Sequence, residues 1–271
     1  MKKINLIIAF FAALGIVSCQ QDGEELGTEI DLETEATVES AFEDIDIITE
    51  AGMEDIQSNE RRDRDLILEC ATVEHDTATN TITIDYGDGC EGPGGRIRKG
   101  KVIITYDGRR FEPGSSRIVT LDEFYLDSVK VEGTRTITNI SESIEDNPTF
   151  SITLRGGKVT MPDGRFATRE ADHQRTWFRA NNPREDYSTV DGEASGVTLN
   201  GSNYSVVISE TLIFKRSCVR VFVPVQGVKV FTVGEEEAIV DYGDGTCDTI
   251  VTVTRDGEVN ERVLRLRGRR S

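Results

Sequence analysis

From Leu66 onward, β-branched and aromatic residues alternate with polar ones in short runs. Examples are Thr81-Ile82-Thr83-Ile84, Lys101-Val102-Ile103-Ile104-Thr105-Tyr106, Ser128-Val129-Lys130-Val131, Ser151-Ile152-Thr153-Leu154, Ser205-Val206-Val207-Ile208 and Thr249-Ile250-Val251-Thr252-Val253. A period of two sends successive side chains to opposite faces, as in a half-buried strand. Turn pairs punctuate the runs at Asp107-Gly108, Gly156-Gly157, Asp163-Gly164, Asp191-Gly192, Asn200-Gly201 and Asp256-Gly257. Asp, Asn and Gly there suit the positive φ of tight hairpins. The pattern predicts a mainly β body of about a dozen strands. Its topology is an antiparallel meander that forms a barrel, packed sheets or an open half-barrel. Two polar stretches, Asn139–Pro148 and Ala180–Tyr187, read as loops. On a rigid β scaffold both are candidate binding loops.

Ahead of the body the period changes. Val38, Ala41, Phe42, Ile45, Ile48, Gly52 and Ile56 are spaced by three and four, with one step of one. That is one apolar stripe of a helix over residues 35–60. Glu and Asp fill its other faces, and Gly52 weakens it by about 1 kcal/mol relative to Ala. The stripe is expected to pack on the β body, leaving the acidic faces to solvent or to a basic partner. Arg61-Arg62-Asp63-Arg64-Asp65 then marks a boundary, and the β domain is read as residues 66–271.

The first residues carry an address. Lys2 and Lys3 precede an apolar run from Ile4 to Val17, long enough for a signal peptide and short of the about 20 residues of a span. It ends at Ile16-Val17-Ser18-Cys19, which resembles a bacterial lipobox. The resemblance implies a lipoprotein signal peptide over residues 1–18 and acylation of Cys19 (palmitate included), which becomes the mature N-terminus. The acyl group then supplies the membrane anchor. Residues 19–34 read as an acidic tether. Its start, Gln20-Gln21-Asp22-Gly23-Glu24-Glu25, is similar to tethers of Bacteroidetes-type lipoproteins, where such a stretch can direct surface display.

Charge sharpens this division. The chain has 49 acids and 31 bases, for a net charge of −18. Fifteen of the acids, and no base, lie between Gln20 and Glu60. Residues 61–271 keep 34 acids (49 less 15) against 29 bases (31 less Lys2 and Lys3). No clustered basic face is evident for a phosphate backbone, so nucleic acid is not expected as a partner. An extracytoplasmic location argues the same way more strongly.

A repeated unit brackets the body. Asp85-Tyr86-Gly87-Asp88-Gly89-Cys90 recurs as Asp241-Tyr242-Gly243-Asp244-Gly245-Thr246-Cys247, with Cys70 and Cys218 upstream of the two copies. The units span residues 70–108 and 218–257. Four Cys in an exported body imply disulfides. The repeat favours Cys70–Cys90 and Cys218–Cys247, each contributing about 3 kcal/mol on the loop-entropy argument. Asp85 with Asp88, and Asp241 with Asp244, are candidate oxygen ligands for Ca²⁺. Calcium takes six to eight oxygens, so turn formation is the simpler role, and no cofactor is expected unless calcium binds there. The string is similar to the D-[FY]-G-D-G of PKD-type β-sandwich domains, although Ile84 and Val240 stand where those modules usually carry Trp.

Together, the lipobox, acidic lead helix and paired Cys–DYGDG units resemble an uncharacterised envelope lipoprotein family of Bacteroidetes-type bacteria. The resemblance implies attachment to the outer membrane, facing periplasm or cell surface, and a β-rich fold. It implies no activity.

Catalytic signatures are few. His75 precedes Asp76 in an expected turn, and His173 follows Asp172 ahead of Trp177. An Asp172–His173 pair is the one candidate general base, against the plainer expectation of a polar strand face. No nucleophile elbow, zincin motif or phosphate loop accompanies it. Trp177 and Phe178 are candidates for stacking on a sugar, or for the core. Arg262, Arg265, Arg267, Arg269 and Arg270 form a basic tail expected to pair with the acidic helix. The sequence thus points to a non-catalytic binding or scaffolding module whose partner is an envelope protein or glycan. A glycan- or lipid-binder using a β cavity or concave sheet, and an envelope polymer hydrolase, are the alternatives.

Overall fold

The computed structural model describes residues 31–57, 66–218 and 223–264. It opens with a helix, α1 (Leu32–Gln57). Asp31 caps it, accepting from the Thr34 backbone N–H at 3.0 Å and the Thr34 hydroxyl at 2.6 Å. The helix therefore starts three residues earlier than the apolar stripe indicated, taking in residues 32–34 of the expected tether. Residues 58–60 of the expected helix, and Cys19 with the rest of the leader, lie outside the described residues.

Fourteen strands follow. They are β1 (Thr72–Asp76), β2 (Thr81–Asp85), β3 (Cys90–Glu91), β4 (Ile97–Asp107), β5 (Ser116–Leu126), β6 (Val129–Asn139), β7 (Thr149–Thr160), β8 (Phe166–Phe178), β9 (Tyr187–Val197), β10 (Asn203–Lys215), β11 (Gln226–Val233), β12 (Glu236–Asp244), β13 (Ile250–Arg255) and β14 (Glu258–Val263). All belong to one antiparallel meander in chain order, except that the two-residue β3 pairs beside β2 on β4. The sheet does not close: β1 pairs with β2 and β14 with β13, and the two ends do not pair with each other. Of the expected forms, the closed barrel is not formed; a packed sheet or an open half-barrel fits.

The sheet curls around α1. Side chains from β2, β4, β5, β6, β8 and β11 all reach the helix. Strands spaced about 4.8 Å apart can reach a helix about 10 Å wide from so many positions only by wrapping it. Bulges permit the curl: register shifts fall at Lys99/Lys101, Val119/Tyr125, Glu132/Thr134 and Leu154/Gly157 on successive strand pairs. At Gly100 (φ +81°) a Cβ would lie 2.0 Å from the Glu123 carbonyl oxygen, so only glycine fits that bend. Gly52 is likewise a contact position: a Cβ there would meet Ile84 at 2.7 Å, letting α1 sit close against β2.

The apolar stripe of α1 is buried as expected, with Val38, Phe42, Ile45 and Ile48 at most 3 % exposed. The acidic faces correct the expectation of solvent exposure. Glu35, Asp44 and Asp46 are buried too, and Glu39, Glu43 and Glu50 are half-buried. The helix is the core's centre rather than a cover on one side.

Candidate functional site

The acids of α1 form a second stripe. Glu35, Glu39, Glu43, Asp46, Glu50 and Glu54 follow one another at steps of four, four, three, four and four, so they share a face. Each meets a cation from the sheet or its loops. Arg169 on β8 donates to Glu35, Lys229 on β11 to Glu39, and Arg175 on β8 to Glu43. Arg135 on β6 donates to Asp46 at 2.6 Å, with Arg175 3.5 Å away on the same oxygen. Glu50 accepts from Arg117 on β5 and from Arg110 at 2.5 Å, and Arg110 also reaches Glu54 at 3.4 Å. On the far side of the helix, Asp44 takes a two-pronged bond from Arg98 on β4, at 2.8 and 2.5 Å, with both side chains fully buried. The expected partner for the acidic helix was the arginine tail; among the described residues its counter-charges come from the strands and, at Arg110, from the β4–β5 loop. Arg262 lies exposed on β14, and Arg265 to Arg270 fall outside the described residues.

These cations stand in the inward phase of their strands. Arg117 shares its face with Val119, Arg135 with Ile137, Arg169 and Arg175 with Ala171, and Lys229 with Phe231. Their charge sets the titration of the acids. Burial works to raise the Glu50 carboxyl, but Arg117 and Arg110 outweigh it and hold the pKa at about 2. Burial wins at Asp46, raising it above the ordinary carboxylate value against Arg135 and Arg175, with Glu43 and Glu50 adding to the rise. His173 faces inward among the same cations. Burial first, then Arg169, Arg135, Lys229 and Arg175, lower its pKa to about 2 and keep the ring neutral.

The ladder does not fill the half-barrel. A cavity of about 210 Å³ lies beside the C-terminal half of α1. Its walls are Phe150 and Ile152 of β7, Trp177 of β8, Tyr187 of β9 and Phe214 of β10, with Ile47 and Ala51 from the helix. Glu43, Asp46, Glu50 and Arg175 line it with their ion pairs already made. Trp177 packs edge-on against Phe111 at 5.8 Å, and the Arg110 guanidinium lies over both rings, 4.5 Å from Phe111 and 4.8 Å from Trp177. Tyr187 stacks on Phe178 with centroids 4.7 Å apart. Asp186 holds the preceding loop by accepting from the Ala180 N–H at 2.9 Å.

Ala180–Tyr187 does border the cavity, through Asp186 and Tyr187; Asn139–Pro148 contributes no wall residue. Trp177 belongs to the wall, and Phe178 supports Tyr187. Asp172 and His173 do not form a pair. They point to opposite faces of β8, Asp172 outward to Arg155 at 2.6 Å and His173 inward. His75 is on β1, not in a turn, and its Nε2 is 2.9 Å from the exposed Tyr106 hydroxyl.

The two Cys units lie near opposite ends of the sheet and form the same turn. Cys70 is bonded to Cys90 and Cys218 to Cys247, with Cα atoms 5.8 and 5.3 Å apart. Asp85 accepts from the Gly87 N–H and Asp241 from the Gly243 N–H, both at 2.8 Å. Both central tyrosines turn inward and are buried. Asp85 also pairs with Lys101 at 3.0 Å, and Asp244 accepts from the Thr246 hydroxyl at 2.7 Å. Three of the four calcium candidates are thus engaged in turn hydrogen bonds. Asp88 is exposed, and no group of three or more potential metal ligands occurs among the described residues. No described helix is long and apolar enough to cross a membrane. No family model, curated protein or solved structure matches the chain.

Proposed function

We propose that this chain is a lipid-anchored protein of the bacterial envelope, a non-catalytic binding module whose half-barrel is held at the outer membrane through Cys19. The leader supports the anchor: Lys2-Lys3, the apolar run and Ile16-Val17-Ser18-Cys19 are the parts a lipobox needs. The non-catalytic reading rests on one observation. Every carboxylate that α1 presents to the aromatic cavity is tied to an arginine, whereas an acid–base catalyst must be free to exchange its proton with substrate.

Hydrolysis retains one favourable feature. Asp46 is pushed up and Glu50 down, the kind of split that assigns an acid and a base. Asp46 is 3 % exposed, with Arg135 and Arg175 on its Oδ2 and its Oδ1 buried without a partner, so a glycosidic oxygen would have to enter the enclosed interior to meet it.

The test has two arms. Membranes from cells expressing the wild type should retain the protein through a high-salt wash, and Cys19→Ala should release it with its melting temperature unchanged. Retention of the variant would remove the anchor. Incubation of the purified protein with peptidoglycan and envelope polysaccharide should leave both intact by mass spectrometry. Release of fragments that Glu50→Gln abolishes would replace the module with an enzyme.

A further inference from the structure

Resting on the binding-module reading, we infer that the cavity between α1 and strands β7–β10 takes an uncharged apolar ligand, a single aromatic ring or a short acyl chain. Three observations converge on that class. The first is size. About 210 Å³ exceeds the ~150 Å³ of an apolar cavity that admits benzene and falls short of the ~300 Å³ at which drug-sized pockets begin. A diacyl lipid does not fit, because α1 already occupies the half-barrel.

The second is charge. The cavity is bordered by five acids (Glu43, Asp46, Glu50, Glu54 and Asp186) and four cations (Arg110, Arg175, Lys215 and Arg216). Inside, the α1 acids hold Arg110 and Arg175; at the rim Asp186 lies 3.8 Å from exposed Arg216, and exposed Lys215 donates to the Gly245 carbonyl at 2.7 Å. An ionic ligand in the interior would have to displace one of the buried partners, and leaving a buried charge unpaired is costly.

The third is hydrogen bonding. The wall keeps three buried polar atoms without a partner, Asp46 Oδ1, Arg110 Nη2 and Arg175 Nε, enough for one or two ligand groups. A sugar ring carries more hydroxyls than these can meet, at about 1–3 kcal/mol for each buried group left unsatisfied. What remains on offer is the apolar wall of Phe150, Ile152, Trp177, Tyr187, Phe214 and Ala51, suited to a ring or a methylene chain.

Trp177 is the chain's single tryptophan, so its emission reports on the cavity. The full lipidated chain in lipid nanodiscs is titrated with 8-bromooctan-1-ol, whose bromine quenches indole on contact. Saturable quenching is expected, reversed by toluene or octan-1-ol. Octanoate should compete at least tenfold more weakly than octanol. Ala51→Phe, which fills the cavity, should weaken the quenching at least tenfold, with circular dichroism confirming the fold. Phe214→Ala, which removes a wall instead, serves if Ala51→Phe misfolds, and the same tenfold weakening is expected. Quenching that rises linearly and equally in wild type and variants reports bromoalcohol in the bilayer, and would overturn the site. A saturable change with chitotriose that octanol does not reverse would overturn the ligand class while leaving the binding module standing. Polymer cleavage in the mass-spectrometric assay would remove the module itself.

Discussion

Along α1, Val38, Phe42, Ile45 and Ile48 bury apolar surface against the curled sheet, while Glu35, Glu39, Glu43, Asp46 and Glu50 bring charge into the same interior. The apolar stripe supplies driving force, about 1.5–3 kcal/mol for each large side chain taken from water. That force has no direction, and a greasy stripe can slide by a turn within a greasy trough. The acidic stripe adds little net stability, since desolvating two charges offsets most of their attraction. It does carry register. Glu35 has Arg169, Glu39 has Lys229, Asp46 has Arg135 and Glu50 has Arg117. A helix displaced by one turn would leave charges at both ends of the ladder buried and unpaired. Packing holds α1 inside the half-barrel; the ion pairs fix where along it α1 stops.

That division gives the largest expected effect. Arg98→Met removes the two-pronged partner of fully buried Asp44, leaving it only Arg96 at 3.9 Å, and should cost about 3 kcal/mol. The double variant Asp44→Leu with Arg98→Met should recover most of the loss, because it removes the stranded charge. Ile45→Ala, 1 % exposed on the apolar stripe, should cost about 2–5 kcal/mol, and no partner substitution should restore it. Urea unfolding of the four proteins decides the matter. A double variant as unstable as Arg98→Met alone would mean that the pair itself, and not the stranded acid, carries the stability.

The apolar half of this arrangement was legible in the sequence and the charged half was not, for a physical reason. Alternation along β4 to β13 and the stripe from Val38 to Ile56 follow from burial, which hydropathy reads directly. Arg117, Arg135, Arg169, Arg175 and Lys229 read as outward residues only if charge is assumed to mean solvent. Their phase says otherwise: Ala167, Arg169, Ala171, His173, Arg175 and Trp177 alternate in a single inward set. The matching signal in α1 was the three-and-four spacing of its acids, which a solvated face has no need to keep. The Cys units were legible because a repeated string demands a repeated geometry, and both copies form the same Asp-to-Gly turn. The cavity was not, because Trp177, Tyr187 and Phe214 come from three strands whose convergence depends on the curl.

The ladder also predicts how the comparison responds to acid. His173 is held neutral, with its pKa lowered from 6.5 to about 2. A depressed folded-state pKa contributes stability above pH 6.5, lost progressively as pH falls from there toward 2. At pH 5 the loss is about 1–2 kcal/mol, discounting the 1.4 kcal/mol per unit for the partial exposure of the ring. Glu50 enters later, since its ordinary value of 4.5 is lowered to about 2, so its contribution is lost below pH 4.5. Asp46 has the opposite sign: raised by burial, it takes up its proton more readily when folded and offsets part of that loss. His173→Gln should therefore flatten the stability profile between pH 6.5 and 5 and leave the steeper fall below 4.5 intact. An unchanged slope above pH 5 would show that His173 protonates freely in the folded protein.

The smallest expected effect isolates burial from geometry. Arg155 and Asp172 on the outer face are 2.6 Å apart, the same separation as Arg135 and Asp46 on the inner face. Their side chains are 54 % and 56 % exposed, against 7 % and 4 % for the inner pair. Water and salt screen the outer pair, so Asp172→Asn should cost less than about 1 kcal/mol and nothing measurable in 1 M NaCl. Arg155 keeps its bonds to the Leu154 and Ala171 carbonyls in that variant, so no donor is stranded. Arg135→Met leaves Asp46 in the interior with Arg175, 3.5 Å away, as its remaining counter-charge and should cost about 3 kcal/mol, in low and high salt alike. If the two variants lost equal stability, or if salt erased the inner effect, the acids of α1 would be as well solvated as those outside, and the ladder could not fix the register of the helix.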